Sequence, residues 1–286
     1  MEKEKEWLYT ISSKHPLIHL NFNEIWRYRD LLLLFVKRDI VTVYKQTVLG
    51  PLWFFIQPLF TSVIFTLVFN NLGAIQTGTV PPFLFNLAGI TAWNYFNECL
   101  TKTSSTFTAN QNIFGKVYFP RVIMPLSVVI SNLLKFGIQL LLFFGFFIYY
   151  YSQGAAIAIS PMILMFPVFV LLMALLGLGL GMMISSFTTK YRDLSILVGF
   201  GVNLLMYLSA VPYPVSEAKL KFPPLIARIV ELNPLAQMIE GFRYMLLQTG
   251  TFNWSGLLYT AIISVAVFLL GLIIFNRTEK SFIDTV

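Results

Sequence analysis

The chain has 286 residues, of which 57% are hydrophobic, 16% aromatic and only 12% charged. Soluble chains carry about 45–50% apolar and about 25% charged residues, so this composition excludes a water-soluble globular domain or a disordered tail and points to a polytopic membrane protein. The 20 Lys+Arg against 13 Asp+Glu give a formal net charge of +7, which here reads as cytoplasmic loops facing anionic lipid and not as a nucleic-acid surface.

Residues 1–50 are a charged lead-in. An apolar run long enough to span a membrane first begins after Gly50, behind a long charged segment, which is not the pattern of a cleavable signal peptide. Within the lead-in, Phe22, Ile25, Trp26, Leu32, Leu33 and Val36 fall near helical spacing, with Asn23, Glu24, Arg27 and Asp30 on another face. That predicts an amphipathic helix over 22–38 lying in the membrane interface, as an elbow pushing on the bundle or as a passive anchor.

A hydrocarbon core of about 30 Å needs about 20 helical residues. No charge occurs between Lys45 and Glu98, which gives two spans, 52–72 and 83–103, broken by Gly73, Gly78, Pro81 and Pro82. A third span is predicted over 125–150, and a fourth follows a turn at 152–161 and ends near 187. The fifth covers 194–211 and the sixth 255–275, leaving a tail at 277–286. The fold class is therefore an all-α membrane protein, with one six-span domain over 51–276 behind the lead-in. On this scheme fifteen Lys/Arg fall on one side and four on the other, which puts both termini in the cytoplasm.

The cytoplasmic loop 104–124 carries Asn112, Ile113, Phe114, Lys116, Tyr118 and Arg121, punctuated by Pro120 and Pro125. A short helix there would expose Ile113, Phe114 and Tyr118, as a docking surface or as interfacial anchors. The last outer loop, 212–254, contains Asn233-Pro234, a helix start in which Asn caps and Pro loses no hydrogen bond. Leu235, Met238, Ile239, Phe242, Met245 and Leu246 then share one face up to Gly250. Such a helix lies on the outer leaflet or re-enters it beside an exit.

Polar residues inside spans belong against protein or a cavity. Trp53, Gln57 and Thr61 recur every fourth residue in the first span, and Ser195, Gly199, Asn203 and Tyr207 do so in the fifth. Aromatic faces with polar neighbours suit a sugar chain, which stacks on rings and bonds through hydroxyls; ordinary helix packing is the alternative. Lys135, with Ser131 and Gln139 on its face, needs a carboxylate, a cavity, an anionic substrate or a route to the interface. Gly177, Gly179 and Gly181 form a small-residue face for close packing.

No G-x-x-x-x-G-K-[ST] or H-E-x-x-H motif occurs. The lone Cys99 forms no internal disulfide, and His15 and His19 lie outside the spans. Glu98 is the single carboxylate within them, with Lys102 one turn away. The chain thus reads as a conduit powered from elsewhere.

Several blocks carry a resemblance. Lys37-Arg38-Asp39-Ile40, the run Tyr44-Lys45-Gln46-Thr47-Val48-Leu49-Gly50-Pro51-Leu52-Trp53, and Gln57-Pro58 lead into the first span. Phe119-Pro120-Arg121 with Pro125-Leu126, Tyr191-Arg192-Asp193-Leu194, and Asn233-Pro234 with Arg243 follow. Together they resemble the permease subunits of ABC exporters for polysaccharides and polyol phosphates (O-antigen, capsule, teichoic acid) over nearly the whole chain. The resemblance implies a type-2 exporter permease with re-entrant outer helices, working as a homodimer with two ABC ATPase subunits that bind the ATP and Mg, this chain carrying no cofactor. It implies a lipid-linked glycan of the undecaprenyl-pyrophosphate type in a bacterial cytoplasmic (inner) membrane. It further implies ATPase coupling through Asn112, Ile113, Phe114, Lys116 and Tyr118, and a channel lined by Trp53, Gln57, Thr61, Asn203 and Tyr207. Lys37, Arg38, Lys45 and Arg121 would meet the lipid pyrophosphate, and Asn233, Pro234, Phe242 and Arg243 would form the outer gate. An exporter of drugs or small lipids is the alternative within this fold, and a transferase acting on lipid-linked sugars is the alternative outside it.

Overall fold

The computed structural model describes residues 22–45, 50–114, 117, 119–191 and 193–285. All regular structure among the described residues is helical. Two helices, α1 (Phe22–Arg27) and α2 (Arg29–Lys45), precede the first span. That span is a short 3-10 turn at Gly50–Leu52, α3 (Trp53–Phe65) and a π-helical segment, Thr66–Leu72. Next come α4 (Pro82–Ser104), the one-turn helices α5 (Thr106–Ala109) and α6 (Gln111–Phe114), and the long α7 (Ile123–Ser152). A 3-10 turn at Pro161–Met165 leads into α8 (Phe166–Thr188), followed by α9 (Leu194–Leu208). The remaining helices are α10 (Val215–Lys221), α11 (Pro224–Leu232), α12 (Pro234–Leu247) and α13 (Trp254–Thr285).

Among the described residues, four segments are long and apolar enough to cross a membrane: Gly50–Leu72, Ile123–Ser152, Pro161–Thr188 and Trp254–Thr278. The other two predicted spans are helices of different character. The 23 residues of α4 rise about 34 Å at about 1.5 Å each, but the helix carries Asn86, Thr91, Asn94, Asn97 and Glu98. It is the inner helix of the bundle, buried along most of its length. The 15 residues of α9 rise about 22 Å, less than the about 30 Å of a hydrocarbon core. The predicted tail from 277 continues α13 as far as Thr285.

Glycine sets how closely α8 packs. A Cβ on Gly177 would lie 3.0 Å from Cys99 Cβ, and one on Gly181 would lie 2.6 Å from Thr103 Cβ, both on α4. Gly179, two residues round the helix, faces α13, where a Cβ would lie 2.7 Å from Phe268 Cα. The predicted single small-residue face is thus two faces, because positions i and i+4 share a side and i+2 does not. Cys99 is sealed in the α4–α8 contact, with no exposed surface.

The lead-in helix departs from its expected geometry. Phe35 is buried against Phe119 at 5.6 Å, and Tyr28, Leu31 and Leu32 pack on the same cluster. Trp26, Leu33 and Leu34 face outward. Four consecutive leucines wrap around a helix, so α2 has one apolar face on the bundle and another away from it. On α12 the expectation holds: Leu235, Met238, Ile239, Phe242, Met245 and Leu246 are all buried. The helix ends earlier than Gly250, at Leu247, with Gln248 left-handed at φ 52°. Gly250, at φ 87°, passes over the Glu240 carboxylate, where a Cβ would meet Oε1 at 2.5 Å.

Replacing Gly179 with Val forces α8 and α13 apart and is expected to destabilise the bundle by about 1–3 kcal/mol, the usual range for overpacking. The melting temperature in detergent measures this; Gly137→Ala, which meets nothing within 4 Å, is the control.

Candidate functional site

At one end of the bundle the chain leaves α9 and bends back through residues 209–213, with Ala210 at φ 55°. Bare carbonyls at this depth need donors, and Arg243 of α12 supplies them. Its guanidinium, 0% exposed, donates to Ala210 O at 2.9 Å, Phe85 O at 3.3 Å and Tyr213 O at 3.5 Å, and also to Val211 O. It lies 3.7 Å above the Phe85 ring, in space that a Cβ on Gly89 would fill. Asn233 caps α12 through Oδ1 to Leu235 N at 2.9 Å, and its amide donates to Leu208 O at 3.0 Å and Ser209 Oγ at 3.1 Å. Phe242 is buried between Phe166 and Phe136, with ring centroids at 5.3 and 6.1 Å. Of the predicted outer-gate residues, Asn233 and Arg243 both bind the bend after α9, Phe242 packs into the aromatic core, and Pro234 opens α12. Glu240, buried one turn before Arg243, is an addition; the sequence shows it only as a charge beside an apolar stripe.

Deeper in the bundle, α4 and α7 meet through a polar ladder. Asn94 Nδ2 donates to Gln139 Oε1 at 3.4 Å, and Lys135 Nζ donates to Glu98 Oε2 at 2.9 Å. Lys102 Nζ reaches the same Glu98 oxygen at 3.0 Å. The rungs step by four residues in opposite directions, so the helices are antiparallel. Lys135 thus meets a carboxylate and, at 5.2 Å, the Phe54 ring. The ladder's lower end borders a cleft lined by Asp39, Ile40, Phe54, Lys102, Ser131, Leu134 and Lys135.

The predicted channel residues lie on two thinly covered helices. Trp53 and Gln57 are exposed on α3, and Thr61 is half-buried with its hydroxyl donating to Gln57 O at 2.9 Å. On α9 only Val202 is buried, and Asn203 and Tyr207 are exposed. The Tyr207 ring lies 6.4 and 6.3 Å from Phe65 and Phe69, which sets the C-terminal end of α9 beside the first span. Asn86 stitches that span's π-helical segment to α4, donating to Thr66 Oγ1 at 3.1 Å and Asn70 Oδ1 at 2.8 Å.

In the loop after α4 the expected exposure of Phe114 is overturned. Phe114 is 7% exposed, because it fills an aromatic cluster with Phe107 at 5.9 Å and Phe119 at 5.8 Å. Asn112 is exposed and Ile113 half-buried; Lys116 and Tyr118 lie outside the described residues, as do Arg192 and 46–49. The cations expected to meet a phosphate divide into two pairs. Lys37 and Lys45 are exposed. Arg121 is buried with its guanidinium 5.2 Å above Phe114. Arg38 pairs with Asp39 at 2.8 Å, stacks on Phe35 at 4.9 Å and donates to Asn110 Oδ1 at 3.4 Å.

This architecture defines a multi-pass helical membrane protein with a polar interior. Residues 30–247 match the ABC-2 type transporter family, and the chain belongs to it. It is similar to the O-antigen export system permease protein RfbA of Klebsiella pneumoniae, 29% identical over 258 residues, covering 89% of this chain and 94% of that one. The RfbA of Myxococcus xanthus is 24% identical over 266 residues, covering 92% and 98%. The inner membrane transport permease YadH of Escherichia coli is 25% identical over 199 residues, covering 66% and 73%.

Arg243→Met leaves the carbonyls of Phe85, Ala210, Val211 and Tyr213 without their donor. The expected loss is at least about 3 kcal/mol, the cost of unsatisfied buried groups beside an unpaired Glu240. Arg243→Lys keeps the charge but not the fork and falls between; thermal unfolding of the purified variants ranks the three proteins.

Proposed function

We propose that this chain is the membrane-spanning subunit of an ATP-driven exporter of a lipid-linked polysaccharide of the O-antigen, capsule or teichoic-acid kind. The observation that carries this reading is the near full-length similarity to permeases named for O-antigen export. The exposed polar and aromatic groups of α3 and α9 support it. A passage for glycan needs rings to stack on and amides to bond hydroxyls, and Trp53, Tyr207, Gln57 and Asn203 supply both. A wholly apolar lining would instead favour drugs or small lipids.

In this reading the chain crosses the bacterial inner membrane six times, with α4 and α9 as the second and fifth spans and both termini in the cytoplasm. The segments 1–50, 51–276 and 277–286 are its lead-in, permease domain and tail. Helices α11 and α12 re-enter the outer leaflet within the gate loop 212–254. The subunit works as a homodimer. Support comes from α9, where a Cβ on Gly199 or Gly201 would touch nothing within 4 Å, so the small-residue face is open for a second copy or for substrate. The chain itself is not an enzyme: two copies of an ABC ATPase bind the ATP and Mg and dock against Asn112 and Ile113. Lys116 and Tyr118 extend the same loop. The exposed Lys37 and Lys45 attract the undecaprenyl-pyrophosphate-type carrier to α2, while Arg38 and Arg121 brace the loop beneath it.

Purified alone, the chain is expected to hydrolyse no ATP, with turnover arising on addition of its ATPase; intrinsic turnover refutes the division of labour. Asn112→Arg should lower the stimulated ATPase rate several-fold at unchanged melting temperature, whereas Phe114→Asp should lower the melting temperature itself. Trp53→Ala combined with Tyr207→Ala should reduce polymer export at least about tenfold with complex assembly intact. Wild-type export by that double variant assigns both rings to packing alone.

A further inference from the structure

The ladder's lower end has an excess of positive charge beside an opening. Lys102 and Lys135 both bind one oxygen of Glu98, at 3.0 and 2.9 Å. An ammonium has three donors, so one carboxylate oxygen leaves most of the N–H groups of the pair uncommitted to it. Asp39, the other acid in the cleft, does not offset the second lysine: Arg38 holds it at 2.8 Å, and Ser127 Oγ donates to its other oxygen at 3.4 Å. The five charged groups therefore sum to one net positive charge. Side-chain exposure is 16% for Lys135 and 38% for Lys102. A surplus cation whose nearer ammonium, that of Lys135, is largely withdrawn from water favours an anion. Ile40, Phe54 and Leu134 complete the cleft and give an apolar wall directly beside the ammonium groups.

Resting on the proposed export of a lipid-linked polymer, we propose that Lys102 and Lys135 form the subsite for the diphosphate of the polyprenyl carrier. In this assignment Glu98 is a resident stand-in anion, holding both lysines until a phosphate oxygen replaces it. Ile40, Phe54 and Leu134 receive the first isoprene units. The subsite lies between α2, α3, α4 and α7, so a carrier drawn to Lys37 and Lys45 reaches it beside the first span.

The test uses the permease–ATPase complex in phosphatidylcholine nanodiscs, titrated with sugar-free polyprenyl diphosphate. Wild type should bind. Lys102→Gln and Lys135→Gln should each weaken binding by at least about tenfold, about 1.4 kcal/mol, whereas Glu98→Gln should tighten it. That opposite sign separates a ligand site from a structural ion pair, in which all three changes act alike. Inorganic pyrophosphate, lacking the lipid, should compete poorly, and phosphatidylglycerol at equal concentration should not displace the probe. If Lys135→Gln does not fold, Lys135→Arg should bind like wild type while Lys102→Gln carries the loss. Unchanged binding in folded lysine variants, or weakening by Glu98→Gln, overturns the subsite alone. Displacement by phosphatidylglycerol makes it a general lipid-headgroup site and overturns the assignment to the carrier. No binding by wild type overturns both this assignment and the lipid-linked substrate reading.

Discussion

The end of the molecule around the 209–213 bend depends on the mutual satisfaction of one guanidinium and four carbonyls. A charge without acceptors and a non-helical backbone without donors are each costly away from water. Arg243 brings the two costs together so that each removes the other. Because it reaches Phe85 on α4 as well as residues 210, 211 and 213, it also fixes where α9 stops and how α12 sits against the inner helix. Gly89 is part of the same device, since any larger residue would occupy the guanidinium's place.

The opposite end follows similar rules with a different outcome. Above, the charge is fully used within the chain; below, Lys102 and Lys135 share one acceptor. Helix α4 carries both arrangements on a single rod, with Phe85 and Gly89 at one end and Asn94, Glu98 and Lys102 towards the other. Apolar packing alone would give a more stable contact than a buried ion pair. The ladder is therefore better explained by what it holds in place than by stability. The aromatic cluster of Phe35, Phe114 and Phe119 then ties α2, which borders the cleft, to the loop after α4.

Much of this was legible in the residue pattern. Charge-free runs located the four segments that are long and apolar enough to cross a membrane, because an apolar stretch of that length has few other solutions. The Asn233 cap and the six buried positions of α12 followed from local rules of helix ends and periodicity. Lys135 was readable as a residue in need of a partner, though which carboxylate would answer it depended on how α4 and α7 come together. The misses share a cause. Phe114 looked exposed because its loop is polar, but it joins a cluster with Phe35 and Phe275, which are distant in sequence. The acceptors of Arg243 were not legible, because the carbonyls it binds belong to a bend that no periodicity describes.

The burial of Cys99 against Gly177 has a practical consequence. Thiol reagents need an accessible thiolate, and the chain's one sulfhydryl is shut between two helices. A cysteine introduced at an exposed position, such as Asn203 or Leu33, becomes the one reactive handle without removal of the native residue. Spin labels or fluorophores at such positions can report motion of α9 or α2 during turnover in an otherwise unaltered bundle.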